Sequence, residues 1–154
     1  MNTLDVLIYG QQTIRSTVDR IGPEDWGRIA LGVWTAKDLL GHLGAFEVRF
    51  ADQLAPFARA SVETDLPSAD PRTFNDDQAA VRKDWPVDRV MAEFLEAHER
   101  VMRFGALISA EVWREVGTIP WYGADYSLND LVVYQQYGHK REHDPQLGAV
   151  LEQR

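Results

Sequence analysis

The sequence predicts an all-α fold, a four-helix bundle with a long crossover connection between its second and third helices. Three observations predict it. Apolar residues recur at helical spacing over most of the 154 residues, and no segment alternates convincingly as a strand. Two helix starts carry capping-box chemistry, Thr35 with Asp38 and Ser127 with Asp130. A proline-bearing stretch, residues 55–85, separates the first pair of helices from the second, while the other links are short.

The first helix is expected from about Thr3 to Arg20, with Leu4, Leu7, Ile8, Gln11, Ile14 and Val18 along one face. Gly22-Pro23 ends it. The second opens at the Thr35 cap, with Trp34 and Leu39 at the staple positions. Its apolar stripe is Leu39, Leu43, Phe46 and Phe50, reaching about Leu54. The connection contains Pro56, Pro67 and Pro71, and the capping-box spacing of Asn75 and Gln78 predicts one short helix in it. The third helix follows Pro86, with Val87, Val90, Met91, Phe94, Val101 and Ile108 on its inner face. Thr118 to Asp125 reads as a loop. The fourth helix starts at Ser127 and runs to at least His143, where Asp144-Pro145 predicts a kink or a restart with Asp144 as a new cap. The long middle connection lets helices 2 and 3 run parallel, which makes helices 2 and 4 antiparallel.

Composition bounds the chemistry. At 154 residues, 45% of them hydrophobic, the chain 1–154 fits a single domain with a sizeable core. A net charge of -8 with no cluster of basic residues argues against a nucleic-acid partner. Without cysteine there is no disulfide, no thiolate ligand and no cysteine nucleophile. Residues 1–15 do not read as a signal peptide and no apolar run reaches the length of a membrane span, so a cytoplasmic, membrane-free protein is expected.

The chemistry-bearing residues are histidines. His139 and His143 stand four apart on one face of the fourth helix, where two imidazoles can reach one metal ion. The intervening residues are Lys-Arg-Glu, so the helical metalloprotease motif is absent. The inward stripe of that helix runs Leu128, Leu131, Val132, Gln135, His139, His143, Leu147 and Val150: apolar, then polar, then apolar again. Buried imidazoles without partners cost on the order of 1–3 kcal/mol each, and a shared metal satisfies both. His42 occupies the inward face of the second helix, roughly 10 Å from its start, a depth that matches the other two in an antiparallel pair. Three imidazoles leave one side of an ion open, as catalytic sites do. The ordinary alternative is three packed core histidines. His98 reads as an edge residue of the third helix, Glu47 and Glu142 as solvated, and Trp121 and Tyr122 as loop anchors or cleft walls. Gly41, Gly44 and Gly138 beside the histidines fit either close helix approach or mere tolerance.

The segment Trp34-Thr35-Ala36-Lys37-Asp38-Leu39-Leu40-Gly41-His42-Leu43 resembles the opening of helix 2 in DinB-like proteins. His139-Lys140-Arg141-Glu142-His143, with Gln146-Leu147 downstream, resembles the second signature of that family, and Phe74-Asn75 its middle region. The resemblance implies a bundle with a crossover after helix 2, often dimeric, with His42, His139 and His143 as ligands of a divalent metal, zinc or nickel foremost. Relatives of that type include transferases in which metal activates a low-molecular-weight thiol. It therefore implies a metal-dependent transferase, or a hydrolase using metal-bound water, acting on a small-molecule substrate as a homodimer. The competing expectation is a non-catalytic, stress-related binding or sequestration bundle. Pro145, soon after His143, departs from the family pattern.

Overall fold

The computed structural model describes residues 2–153. Four long helical elements form a bundle: α1 (Thr3–Val18), α2 (Ala36–Leu54), α4 (Val87–Leu107) and a composite last helix. The last consists of α6 (Leu128–Leu131), a π-helical turn over Val132–Tyr137, and α7 (Gly138–Ala149). Short α3 (Phe74–Arg82) lies in the crossover and α5 (Ala110–Arg114) follows α4.

Both capping boxes form. Thr35 Oγ1 accepts from the Asp38 amide at 3.2 Å, while Asp38 Oδ2 accepts from the Thr35 amide at 3.0 Å. Ser127 and Asp130 repeat the arrangement at 3.3 and 2.8 Å. These caps fix where α2 and the last helix start, and hence the depth of every residue along them.

Several expectations need correction. Ile29–Leu31 and Trp34–Thr35 pair as a small antiparallel hairpin, turned at Gly32, whose φ is +58°. Helix α1 ends at Val18, two residues early, and its Ile8 is exposed. The crossover helix follows Thr73, which makes no side-chain cap, and begins with buried Phe74, without the Asn75–Gln78 box. Ile108 lies just beyond α4 in extended backbone, and Ser109 caps the short α5. Pro145 neither ends nor restarts the last helix, because α7 runs through it. One lost backbone bond is offset there by packing of Leu147, which is fully buried, and by Thr17 Oγ1 donating to Asp144 Oδ1 at 2.6 Å.

Contacts give the helix directions. Along α2, Gly41 faces Val90, Gly44 faces Phe94, Glu47 meets His98 and Asp52 meets Arg100, so α2 and α4 run parallel. His42 meets His143 while Phe46 meets His139, so α2 and α7 run antiparallel. A Cβ on Gly44 would lie 3.7 Å from the Phe94 backbone, so this glycine sits at a close helix approach.

The core has two apolar clusters, one around Leu39, Leu43, Phe94 and Leu147, the other around Phe50, Leu54, Val101 and Leu131. A buried polar layer of Gln11, Glu47, Gln136 and Lys140 lies among them.

The crossover is tied down by a buried carboxylate. Asp52, wholly inaccessible, accepts from the Glu63 amide at 3.0 Å, from Thr64 Oγ1, and from Arg100 Nη2 at 2.6 Å. Burial raises its pKa, but these hydrogen bonds and the Arg100 charge hold it below the ordinary value. Further along, Lys37 Nζ donates to the carbonyls of Lys83 and Trp85 at 2.7 and 2.9 Å. Asp52→Ala is therefore expected to cost about 2–4 kcal/mol in urea unfolding and to speed proteolysis of residues 55–73.

Candidate metal centre

Three imidazoles converge between α2 and α7. His42 Nε2 lies 2.8 Å from His139 Nε2, and His143 Nε2 lies 2.9 Å from the same atom. Ring centroids are 4.5 to 5.1 Å apart, with the rings edge to face. His42 and His143 are buried, and His139 is half-buried. The seven-residue offset of His42 from its cap and the antiparallel pairing account for this meeting, and Trp34 and Phe46 wall His42 on either side.

A single proton on His139 Nε2 cannot make a linear bond to both neighbours. His143 Nδ1 lies 2.6 Å from Gln146 Oε1, which only accepts, so Nδ1 carries the hydrogen and Nε2 presents a lone pair. His139 Nε2 can then donate to His143 or accept from His42, but not both. A single cation meets three converging lone pairs at once. Four-coordinate zinc has Zn–N bonds of about 2.0–2.1 Å, which places ligand nitrogens roughly 3.3 Å apart. The two contacts at His139 need to open by only about half an ångström, and the three ligand atoms lie within 4.8 Å of one another, so the residues fit the ion. Among the described residues this is the one cluster of three His, Cys, Asp or Glu side chains close enough to share one.

The electrostatics suit ligation. Burial, aided by His143, lowers the His42 pKa to about 4. Burial, then His42, His143 and Lys140, lowers that of His139 to about 3 against a smaller opposing effect of Glu47. Both are neutral at pH 7, the form that binds metal.

The triad opens on a cleft of about 670 Å³ lined also by Trp34, Asn75, Tyr134 and Glu142. Glu142 is exposed, as the helical angle predicts, and is the cleft's one acidic side chain. Asn75 reaches the cleft because the crossover brings α3 across α2. Gln135 is exposed on the cleft wall and Gln136 is buried instead, reversing the expected stripe. The cause is the π turn: Gly138 N–H donates to the Val133 carbonyl five residues back, adding one residue before the histidines.

Glu47 is not solvated. It is 1% exposed, ion-paired to Lys140 Nζ through Oε1, with His98 Nδ1 3.4 Å from Oε2. Burial would raise its pKa, but Lys140 and His98 outweigh that and hold it at about 2. Local periodicity gave no signal for this, because by helical angle Glu47 falls about 60° from the centre of the Leu39, Leu43, Phe46, Phe50 and Leu54 stripe, farther out than half-buried Phe46. His98 belongs to this pair and not to the triad.

Two outcomes follow from these buried charges. Lys140→Met strands the Glu47 carboxylate and should cost about 3–5 kcal/mol in chemical denaturation, with most of the loss recovered in Glu47→Gln/Lys140→Met. In metal-free protein, His42 and His139 titrate lower when folded than the ordinary 6.5, so the unfolded chain takes up more protons as pH falls. Stability should therefore be fully present above about pH 6.5 and fall by a few kcal/mol toward about pH 4. Glu47 adds a separate loss only between about 4.5 and 2. Urea midpoints across this range should drop less in His139→Gln than in the parent chain.

No described helix is long and apolar enough to cross a membrane. No curated protein and no solved structure gives a match to the chain. The family model of the DinB superfamily matches residues 7–147, from the first helix through both histidine-bearing elements. With its bundle, its crossover and its converging histidines, this chain belongs to the DinB superfamily.

Proposed function

We propose that the protein is a metal-dependent enzyme in which His42, His139 and His143 hold a divalent ion, zinc or nickel, and a low-molecular-weight thiol is activated for transfer to an electrophile. The observation that carries this reading is the convergence of the three Nε2 atoms, with His139 Nε2 lying 2.8 and 2.9 Å from the other two. An ion held by these residues would supply Lewis-acid charge, lowering the pKa of a thiol or water brought against it. The sulfur has to come from a cosubstrate, because the chain has no cysteine.

The chain's own residues have definable tasks. Gln146 fixes the His143 tautomer through its 2.6 Å contact. Trp34 and Phe46 shield His42 from water on two sides. Glu142, at the cleft rim, can take the proton that a bound thiol releases. The same carboxylate supports a second reading, hydrolysis by water activated at the same place. A non-catalytic sequestering bundle shares the cleft but predicts no turnover.

Metal content by mass spectrometry on tag-free protein tests the proposal, beside His42→Ala and His139→Ala. About one ion per chain is expected, lost in both variants, with chelator-sensitive consumption of thiol and electrophile by the parent protein. Protein that takes up neither zinc nor nickel on supplementation overturns the proposal. Metal binding without thiol-dependent turnover leaves the hydrolytic or the sequestering reading.

A further inference from the structure

The histidine cleft continues beyond the triad. It shares Phe46 and Gln135 with a second cavity of about 330 Å³, which in turn shares Gln53, Trp121 and Leu131 with a third of about 290 Å³. On α2, His42, Phe46, Arg49 and Gln53 stand at successive spacings of four, three and four residues, one helical face. The three cavities therefore form one groove along that face. The rise of a helix puts Arg49 about 10 Å beyond His42.

Arg49 is the unusual residue of this groove. Its guanidinium lies 4.7 Å from the centre of the Phe74 ring, and its Nε is buried without a hydrogen-bond partner. Among the described residues no carboxylate pairs with it, whereas Arg28, Arg82 and Arg100 all have acidic partners. Burial lowers its pKa, yet a guanidinium stays charged. A partly desolvated, unpaired cation is costly to keep unless a ligand completes it. No acidic side chain lines the second cavity. In the third, fully buried Asp52 is committed to Arg100, Thr64 and the Glu63 amide, and the remaining walls are mainly apolar, among them Phe57, Val62 and Ile119.

We infer that Arg49 is the anion-recognition residue of a substrate groove, binding the carboxylate of a small molecule whose apolar body lies on Trp121 and in the third cavity. A guanidinium matches a carboxylate with two parallel hydrogen bonds, which gives orientation as well as affinity. Such a ligand points its other end along the groove toward the histidines. That last step rests on the proposed metal chemistry, whereas anion binding at Arg49 does not.

Metal-free protein separates the two. It is titrated with phenylbutyrate and with its neutral analogue phenylbutyramide, followed by calorimetry and tryptophan fluorescence. The acid is expected to bind roughly tenfold tighter than the amide. Arg49→Gln should bring that ratio near one, Arg49→Lys should keep part of it, and Trp121→Ala should weaken both ligands alike. In the parent protein, the Arg49 Nε–H signal in proton–nitrogen spectra should shift with the acid and not with the amide, a readout that needs no variant to fold. No binding of the acid at millimolar concentration, no preference for it, a preference surviving Arg49→Gln, or an unmoved Nε–H signal would each overturn the inference. Failure of zinc uptake with the acid preference intact would sink the metal reading alone.

Discussion

The structure depends on the ion pair between Glu47 and Lys140, buried where α2 meets the last helix. Neither charge reaches solvent, and each is tolerable only because the other is present. The pair therefore admits one register of α7 against α2. Lys140 follows His139 in sequence, and Glu47 lies little more than one turn beyond His42. Any slip that broke the pair would also part the imidazoles. A core of leucines alone would accept several registers at similar energy, so the charges contribute specificity more than net stability.

The π turn acts on the same register from the other side. An extra residue in a helix is a defect locally, since it widens the turn and weakens its hydrogen bonds. Here it rotates everything after Val132, so that Gln136 and Lys140 face inward while Gln135 turns to the cleft. His139 is left half-buried beside the opening and His143 buried behind it. Pro145, a second irregularity, lies within α7, which continues through it. The π turn and Pro145 both lie in the helix that carries the candidate chemistry, as functional helices often have it.

The crossover does more than connect. By holding residues 63 and 64, Asp52 turns the chain back over α2. The chain then reaches α3, whose Phe74 packs on Phe46 and beneath the Arg49 guanidinium. One short helix therefore builds a wall of the histidine cleft and shapes the groove past Arg49. A link of minimal length would leave both open to water, which would weaken every electrostatic interaction within them.

The four long helices, the Thr35 and Ser127 capping boxes and the candidacy of His42, His139 and His143 were legible in the sequence, because each rests on local rules. Capping is decided within four residues, amphipathic spacing within two turns, and the i,i+4 pair within one. The long link permitted the parallel run of α2 and α4, which the contacts along the two helices then decided. Only the tertiary structure decided the burial of Glu47, the exposure of Gln135, the survival of α7 through Pro145 and the unpaired state of Arg49. Two of these balance a local cost against a partner far away in the chain, Lys140 for Glu47 and Thr17 for Asp144, while the π turn exposes Gln135 and Arg49 meets no acidic partner among the described residues. Local periodicity tells which face of a helix is inward, but whether a charge can live there is settled by what arrives opposite it.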